Sequence, residues 1–307
     1  MNLNVMLSAN LPRSLCLIFV VLVTHFLSTG RQAECAMVDD PISNWTAISY
    51  SSGNQTDYFD DQQTGNTTSS SDIVGLGSDD AFYTQFDNGG DDTSLTDGTL
   101  FFRVRLGAPG GNSTPEFDRN LFIGVDADGD GALDLYLGVH HQGSSDELAI
   151  YGPGTDLNVS PNTTSITGPV QTITEVDGVN YDYSAVTLGD TDLDDDGETD
   201  YYLSFAYDLQ TIVDAMLAQA GITMDENTML SYVLATATQD NSFNQDLNGV
   251  GKTYSVSDDW STLGALADPI SASGNVSAVP EPGALALLGL ASFFGFGFSR
   301  RSRREGN

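Results

Sequence analysis

Basic residues are scarce in this chain. Its 307 residues include 10 Lys and Arg against 43 Asp and Glu, which gives a formal net charge of -33 at pH 7. Most of the basic residues lie near the two ends, so residues 37–279 are more acidic still. Such a surface repels phosphates, and nucleic acid is therefore excluded as a partner. A folded domain this acidic must spread its carboxylates over solvent or neutralise them with cations, and divalent metal is the obvious candidate.

Cysteine and known catalytic patterns are equally sparse. The chain has two cysteines, Cys16 and Cys35, and it lacks Gly-x-Ser-x-Gly, His-Glu-x-x-His and a cysteine with a partner histidine. These absences predict a protein that is not an enzyme. Because carboxylates are abundant, a secreted hydrolase with a glycosidase pair of acids remains the alternative.

The N-terminal segment is typical of a secretory signal peptide. Arg13 precedes an apolar run at residues 15–27, and small residues follow. We expect residues 1–36 to form this peptide, with cleavage after Gly30 or after Cys35 as open alternatives. A retained signal anchor is the other possibility. Removal of both cysteines would leave the exported domain without a disulfide, so its stability must come from its core and from metal.

Three features follow one another in the last part of the chain. Pro280-Glu281-Pro282 disfavours helix and sheet pairing, residues 283–298 carry no charge, and an arginine cluster comes last. The cluster consists of Arg300, Arg301, Arg303 and Arg304. An uncharged run of this length can span a thin membrane when arginines snorkel beside it. The pattern predicts a C-terminal transmembrane helix with the arginines on the cytoplasmic side.

The order of these features resembles the PEP-CTERM sorting signal of Gram-negative bacteria. The resemblance implies that an exosortase, an integral-membrane cysteine transpeptidase-like protein, recognises residues 280–304 and processes the chain near Pro280-Glu281-Pro282. It also implies an intermediate anchored in the inner membrane, delivery to the cell surface or extracellular matrix, and association with exopolysaccharide. An ordinary single-pass anchor is the alternative.

Two acidic loops in the interior share one layout, with Asp at positions 1, 3, 5 and 9 and Gly at position 6. Their carboxylates belong to Asp126, Asp128, Asp130 and Asp134 in the first loop and to Asp192, Asp194, Asp196 and Asp200 in the second. Calcium takes about six to eight oxygen ligands, and a loop that turns sharply at Gly brings several oxygens onto one ion. Leu137 and Leu203 stand where an EF-hand has its bidentate Glu, which excludes that motif.

The two loops instead resemble the DxDxDG calcium loops of thrombospondin type 3 repeats, dockerins and integrin-like propellers. The resemblance implies that the eight aspartates are metal ligands and that calcium is the cofactor. Acidic surface turns without metal are the alternative. His140 and His141 follow the first loop, but neighbours on a strand point to opposite faces, so we expect no shared metal site.

Two further features concern charge. Arg103 and Arg105 alternate with apolar residues on a predicted strand, and in so acidic a domain we interpret them as structural counter-ions rather than saccharide binders. A third Asp/Asn/Gly turn contains Asp240, Asn244 and Asp246, which are candidates for one more cation.

The pattern of elements predicts the fold class. About ten short strands separated by turn residues, one helix and no βαβ alternation favour a mainly β protein, a β-sandwich of jelly-roll or carbohydrate-binding-module type. The helix is expected near residues 209–220, with Asp208 as N-cap and Gly221 after its last turn. A propeller is the alternative, although it would require four or more similar blades.

The chain is therefore expected to have four parts. These are a signal peptide at 1–36, an acidic β-sandwich domain at 37–270 that is partly flexible at 37–78, a linker at 271–279, and the sorting signal at 280–304. The expected function is that of an exported, exosortase-processed surface or matrix protein, stabilised by calcium, that binds or is embedded in exopolysaccharide or surface glycan. A purely structural coat protein and a secreted hydrolase are the alternatives.

Overall fold

The computed structural model describes most of the acidic domain. The described residues are 37–51, 57–62, 68–90, 93–111, 115–142, 145–239, 243 and 245–274. The predicted signal peptide and the predicted sorting signal both lie outside these ranges. Within them, none of the helices is long and apolar enough to cross a membrane.

Antiparallel strands dominate the described residues. In chain order they are β1 (Thr46–Ala47), β2 (Phe82–Asp87), β3 (Thr99–Leu106), β4 (Asn120–Asp126), β5 (Leu135–Gln142), β6 (Ser145–Pro153), β7 (Ile166–Thr174), β8 (Tyr181–Ala185), β9 (Tyr201–Asp208), β10 (Met229–Ala237), β11 (Asp246–Leu247) and β12 (Ile270–Ser271). The first sheet has the order β1-β2-β3-β9-β8. The second has the order β11-β10-β4-β5-β6-β7, and β12 also pairs with β10. The prediction of a mainly β fold is confirmed.

The two sheets pack face to face through aromatic side chains. Phe102 on β3 stacks on Phe82 of β2 in the first sheet, with ring centroids 6.1 Å apart. Tyr232 on β10 of the second sheet meets the same Phe102 edge-on at 5.6 Å. All three are almost fully buried. Period-two alternation places such residues on the inner faces, which is why the apolar positions of β3 were recognisable in the sequence.

The second sheet is also covered on its other face. Phe122 on β4 and Tyr136 on β5 both pack against Phe243, which in turn contacts Trp260. Because β4 and β10 are buried on both sides, they read as nearly continuous apolar runs instead of alternating ones. At the outer edge of this sheet, β7 is largely exposed, contains Pro169, and pairs with β6 through two register shifts.

The longest helix among the described residues agrees with its sequence signals. Helix α1 spans Leu209–Ala220, the Asp208 side chain accepts a hydrogen bond from the Gln210 amide, and Gly221 follows with φ 74°. Its apolar stripe packs on β5 and β6. A single turn, α2 (Trp260–Leu263), begins after the capping side chain of Asp259 and inserts Trp260 into the second core. The predicted helix and both of its caps are confirmed.

Both arginines of β3 are buried. Arg103 stacks over the Trp45 ring at 4.1 Å and donates to the carbonyl of Val38 at 2.7 Å and to Ser204 Oγ at 2.8 Å. Arg105 is fully buried and paired with Asp200. The ion pair agrees with the interpretation of Arg105 as a structural counter-ion, whereas the partners of Arg103 named here are neutral groups.

Candidate functional site

The first acidic loop connects β4 to β5 in the second sheet. Its first aspartate, Asp126, is the last residue of β4 and is 2% exposed. The two carboxylate oxygens of Asp126 accept from the amides of Gly129 at 2.7 Å and Gly131 at 3.0 Å. The chain therefore wraps tightly around one carboxylate before β5 begins at Leu135.

The second acidic loop leads into β9 in the first sheet. Asp192 takes the central place there and accepts from the amides of Asp196 and Gly197, each at 3.1 Å. Although the two loops belong to different sheets, the amide of the position 6 glycine points to the carboxylate of position 1 in both.

Three further hydrogen bonds also repeat. In each loop, position 3 accepts from the amide of position 5, position 5 from that of position 7, and position 9 from that of position 2. The donor and acceptor atoms are Asp130 N to Asp128 Oδ1 (3.1 Å), Ala132 N to Asp130 Oδ1 (2.8 Å) and Ala127 N to Asp134 Oδ2 (2.9 Å) in the first loop, and Asp196 N to Asp194 Oδ1 (3.4 Å), Glu198 N to Asp196 Oδ1 (2.7 Å) and Leu193 N to Asp200 Oδ2 (3.3 Å) in the second. The loops thus share a conformation as well as a sequence pattern.

Positive φ angles at positions 4 and 6 complete the likeness. Gly129 and Gly131 have φ 78° and 86°, while Asp195 and Gly197 have φ 57° and 90°. Glycine adopts this left-handed region without steric cost, and Asp is among the few other residues that tolerate it. The glycine at position 6 is therefore required by the backbone.

Each loop brings three of its four predicted ligands together. Oxygens of Asp126, Asp128 and Asp134 lie within 4.8 Å of one another, and so do those of Asp192, Asp194 and Asp196. Since calcium–oxygen distances are about 2.3–2.6 Å, two oxygens on opposite sides of one ion lie about 4.6–5.2 Å apart. Both groups therefore have the right size for one hard cation. Asp130 and Asp200 are outside these groups.

Asp200 has a different partner. Its carboxylate is fully buried, accepts from Arg105 Nε at 2.7 Å, and forms an ion pair with Arg105 Nη2. Arg105 also donates to the carbonyl of Asp190 at 2.6 Å. The second loop therefore has one of its carboxylates neutralised by the protein, whereas Asp134 at the same position of the first loop belongs to the acidic group.

Carboxylates in both loops, among them those of Asp134 and Asp194, have a raised pKa. Burial raises the pKa of Asp134 to about 6, and the nearby Asp128 and Asp126 act in the same direction. Burial and the neighbouring Asp196 raise the pKa of Asp194 to about 6. A bound divalent cation would oppose both effects, because it stabilises the ionised form.

A concave pocket of about 320 Å³ is lined by none of the acidic-loop residues. His141, Asp146, Glu175 and Tyr181 are among the residues that line it. His141 Nδ1 is 2.8 Å from Asp146 Oδ1, and the Tyr181 hydroxyl donates to Asp146 Oδ2 at 2.5 Å. His140 does not line this pocket, as expected if neighbouring residues of β5 face opposite ways.

A third acidic group was missed by sequence reasoning. Asp57, Asp61 and Asp246 approach one another as closely as the loop carboxylates do, and all three are buried. Of these three residues, only Asp246 was a candidate ligand in the sequence. The other two candidates of that turn, Asp240 and Asn244, lie outside the described residues. No local spacing signals this group, because Asp246 is far along the chain from Asp57 and Asp61.

Comparison with known proteins characterises one end of the chain. Neither the curated proteins nor the solved structures include a match. A family model does match over residues 278–304, which contain the predicted Pro280-Glu281-Pro282, the uncharged run and the arginine cluster. The chain is therefore an exported protein that carries a PEP-CTERM protein-sorting motif and is sorted by an exosortase.

Proposed function

We propose that this protein is a non-catalytic component of the cell surface or extracellular matrix, in which a calcium-stabilised β domain holds exopolysaccharide. The observation that carries the proposal is the repetition of one acidic loop conformation in two different sheets of an exported, strongly acidic domain. Export supports a role for calcium, because extracellular calcium modules operate with dissociation constants of about 10⁻⁴–10⁻³ M.

The two loops should differ in affinity. In the first loop, Asp134 adds its charge to those of Asp126 and Asp128. In the second loop, Arg105 neutralises Asp200. Each loop brings three carboxylates together, but the positive charge of Arg105 beside the second group opposes cation binding there, so we expect the first loop to be the tighter site.

Calorimetric titration with calcium tests this part of the proposal. Asp128→Asn should weaken the tighter binding event and Asp192→Asn the weaker one, because each keeps the side-chain shape and removes a charge. Asp214→Asn, at an exposed position of α1, is the matched control and should leave both events unchanged. Heat of binding that is the same in all four proteins would contradict the proposal.

The pocket beside β5 is the proposed glycan site. Tyr183 contributes an aromatic ring to its lining, while Glu175 and His141 contribute polar groups that suit sugar hydroxyls. The hydrogen bonds from Tyr181 and His141 to Asp146 fix these side chains before a ligand arrives. The acidic surroundings favour a neutral glycan, or an acidic one bridged by calcium.

Pull-down on immobilised polysaccharides tests the glycan site. Wild type, His141→Ala and Glu175→Gln would be compared on neutral and on acidic polysaccharides, with calcium or with chelator. We expect both variants to bind less than wild type and less than the Asp214→Asn control. Calcium binding without retention on any polysaccharide would favour a purely structural coat protein instead.

A carbohydrate-active hydrolase is the second candidate, and one observation favours it. Asp146 and Glu175 line the same pocket, and burial raises the pKa of both carboxyl groups. A carboxyl pair with raised pKa can supply the acid and base of glycoside hydrolysis. Release of reducing ends from a retained polysaccharide, abolished by Glu175→Gln, would establish this activity in place of simple binding.

A further inference from the structure

Four carboxylates meet in the interior, away from solvent. Ligand oxygens of Asp57, Asp61 and Asp246 lie within 4.8 Å of one another. These residues are 5%, 4% and 0% exposed, and Asp72, at 0%, interacts electrostatically with all three. Unlike the acidic groups of the two loops, which include exposed or half-buried carboxylates, all four of these residues are buried.

Backbone amides hold one oxygen of each of three carboxylates. Asp57 Oδ1 accepts from Gly249 N at 2.7 Å, Asp72 Oδ2 from Asp60 N at 3.0 Å, and Asp246 Oδ2 from Ile73 N at 2.6 Å. The second oxygen of each is buried and has no hydrogen-bond partner among the described residues. Buried polar atoms are nearly always paired, so three such oxygens in one acidic cluster point to a missing ligand.

The charge of the cluster leads to the same conclusion. Burial raises the pKa of Asp61 to about 6 and that of Asp72 to about 8, and it also raises those of Asp57 and Asp246. A side-chain hydrogen bond with Asp246 and the charge of Lys252 oppose the shift at Asp61, but the Lys252 side chain is exposed. Ionised carboxylates are very costly in the interior unless a cation is close.

We propose that Asp57, Asp61, Asp72 and Asp246 bind one divalent cation, and that this ion is calcium. Carboxylate oxygens select hard cations, and the spacing of the Asp57, Asp61 and Asp246 oxygens agrees with calcium–oxygen distances of about 2.3–2.6 Å. The site shares no ligand with the two acidic loops, although Asp194 of the second loop acts on the pKa of Asp72, and it does not depend on glycan binding.

The position of the cluster gives the ion a structural role. Ile73, whose amide binds Asp246, forms a bridge to Leu106 of β3 in the first sheet. Asp246 itself pairs with Thr236 of β10 in the second sheet. An ion at this point therefore links residues 57–62 and 68–73 to both sheets. Gly249, which donates to Asp57, has φ 77°, so a side chain at this position would disturb the site.

Metal content after desalting tests the proposal. The full-length protein would be equilibrated with calcium, passed through a desalting column without calcium, and analysed by elemental mass spectrometry. The buried ion should stay bound, while ions in the exposed loops should dissociate. The double variant Asp128→Asn/Asp192→Asn weakens both loops and should still retain one calcium per chain.

The buried site has its own variants. Asp246→Asn and Asp57→Asn each keep an oxygen that accepts the backbone hydrogen bond but remove a charge. Either substitution, added to the loop-deficient double variant Asp128→Asn/Asp192→Asn, should lower the retained calcium from one ion per chain to none. Loss of all calcium by the loop-deficient parent would overturn the proposal even if the buried-site variants do not fold. Retention of one ion by the folded Asp57→Asn and Asp246→Asn variants would overturn it as well.

Discussion

Replacing Arg105 by methionine should destabilise the β domain by about 3–5 kcal/mol, because the buried carboxylate of Asp200 would lose its counter-ion. Both side chains are fully inaccessible to solvent. The variant would also lose the hydrogen bond from Arg105 to the carbonyl of Asp190. Methionine retains much of the apolar stem, so the change tests charge and hydrogen bonding more than volume.

The expected loss converts into a large thermal shift. For a domain of about 150–250 residues, 1 kcal/mol corresponds to about 2–4 °C, so Tm should fall by roughly 6–20 °C. Circular dichroism melts of the full-length chain, recorded with chelator, would measure the change. Urea titration would give the free energy of unfolding independently.

Arg119 offers the matched control. It forms an ion pair with Asp118 at 3.2 Å, but the two side chains are 17% and 26% exposed. Pairs of this kind contribute about 0–1 kcal/mol, so Arg119→Met should have little effect. Equal destabilisation by Arg105→Met and Arg119→Met would refute the argument from burial.

A double variant distinguishes the effect of leaving the Asp200 charge uncompensated from the other effects of removing Arg105. Adding Asp200→Asn to Arg105→Met removes the uncompensated carboxylate, so part of the lost stability should return. Calcium should also restore stability to Arg105→Met more than to wild type, because Asp200 then becomes available as a ligand. An Arg105→Met protein that responds to calcium no more than wild type would show that Asp200 does not ligate.

Three other outcomes follow from the structure. Calcium at about 100 times its dissociation constant should stabilise the wild type by about 2.7 kcal/mol and raise its Tm by several degrees, and identical melts in calcium and chelator would contradict this. Asp195→Gly should raise the free energy of unfolding by about 0.5–1 kcal/mol, because Asp195 has the left-handed φ of 57° that glycine adopts without strain, as Gly129 does at the same position of the first loop. An unchanged urea midpoint would show that the backbone strain at Asp195 is negligible. Phe102→Ala should lower the free energy of unfolding by about 3–5 kcal/mol, because the ring packs on Phe82 and Tyr232 between the sheets. A loss below about 1 kcal/mol in a urea titration would mean that the surrounding core collapses into the cavity.

Local sequence signals were sufficient to predict those parts of the structure that depend on residues close to one another in the chain. The helix at Leu209–Ala220 and its two caps follow from apolar spacing, Asp208 and Gly221, all of which act within a few residues. The same holds for the backbone-to-carboxylate hydrogen bonds that the two loops share, which all join residues a few positions apart. The apolar face of β3 was likewise recognisable from its alternation.

Features that depend on distant segments could not be predicted in this way. The partner of Asp200 is Arg105, which reaches it only when β3 pairs with β9. Asp57 and Asp246 meet because separate parts of the chain fold over the same core. Asp is common on surfaces, so its presence in the sequence gives no sign that these carboxylates are buried.

The irregular edge strand β7 affects how readily neighbouring copies of the protein can join their sheets. Exposed edge strands offer free amides and carbonyls on which another molecule can add a strand, and dense packing favours that polymerisation. Pro169 removes one such amide, and the register shifts against β6 distort the edge. In a crowded surface layer this edge should resist intermolecular sheet extension, so Pro169→Thr should increase the tendency to form fibrils at high concentration.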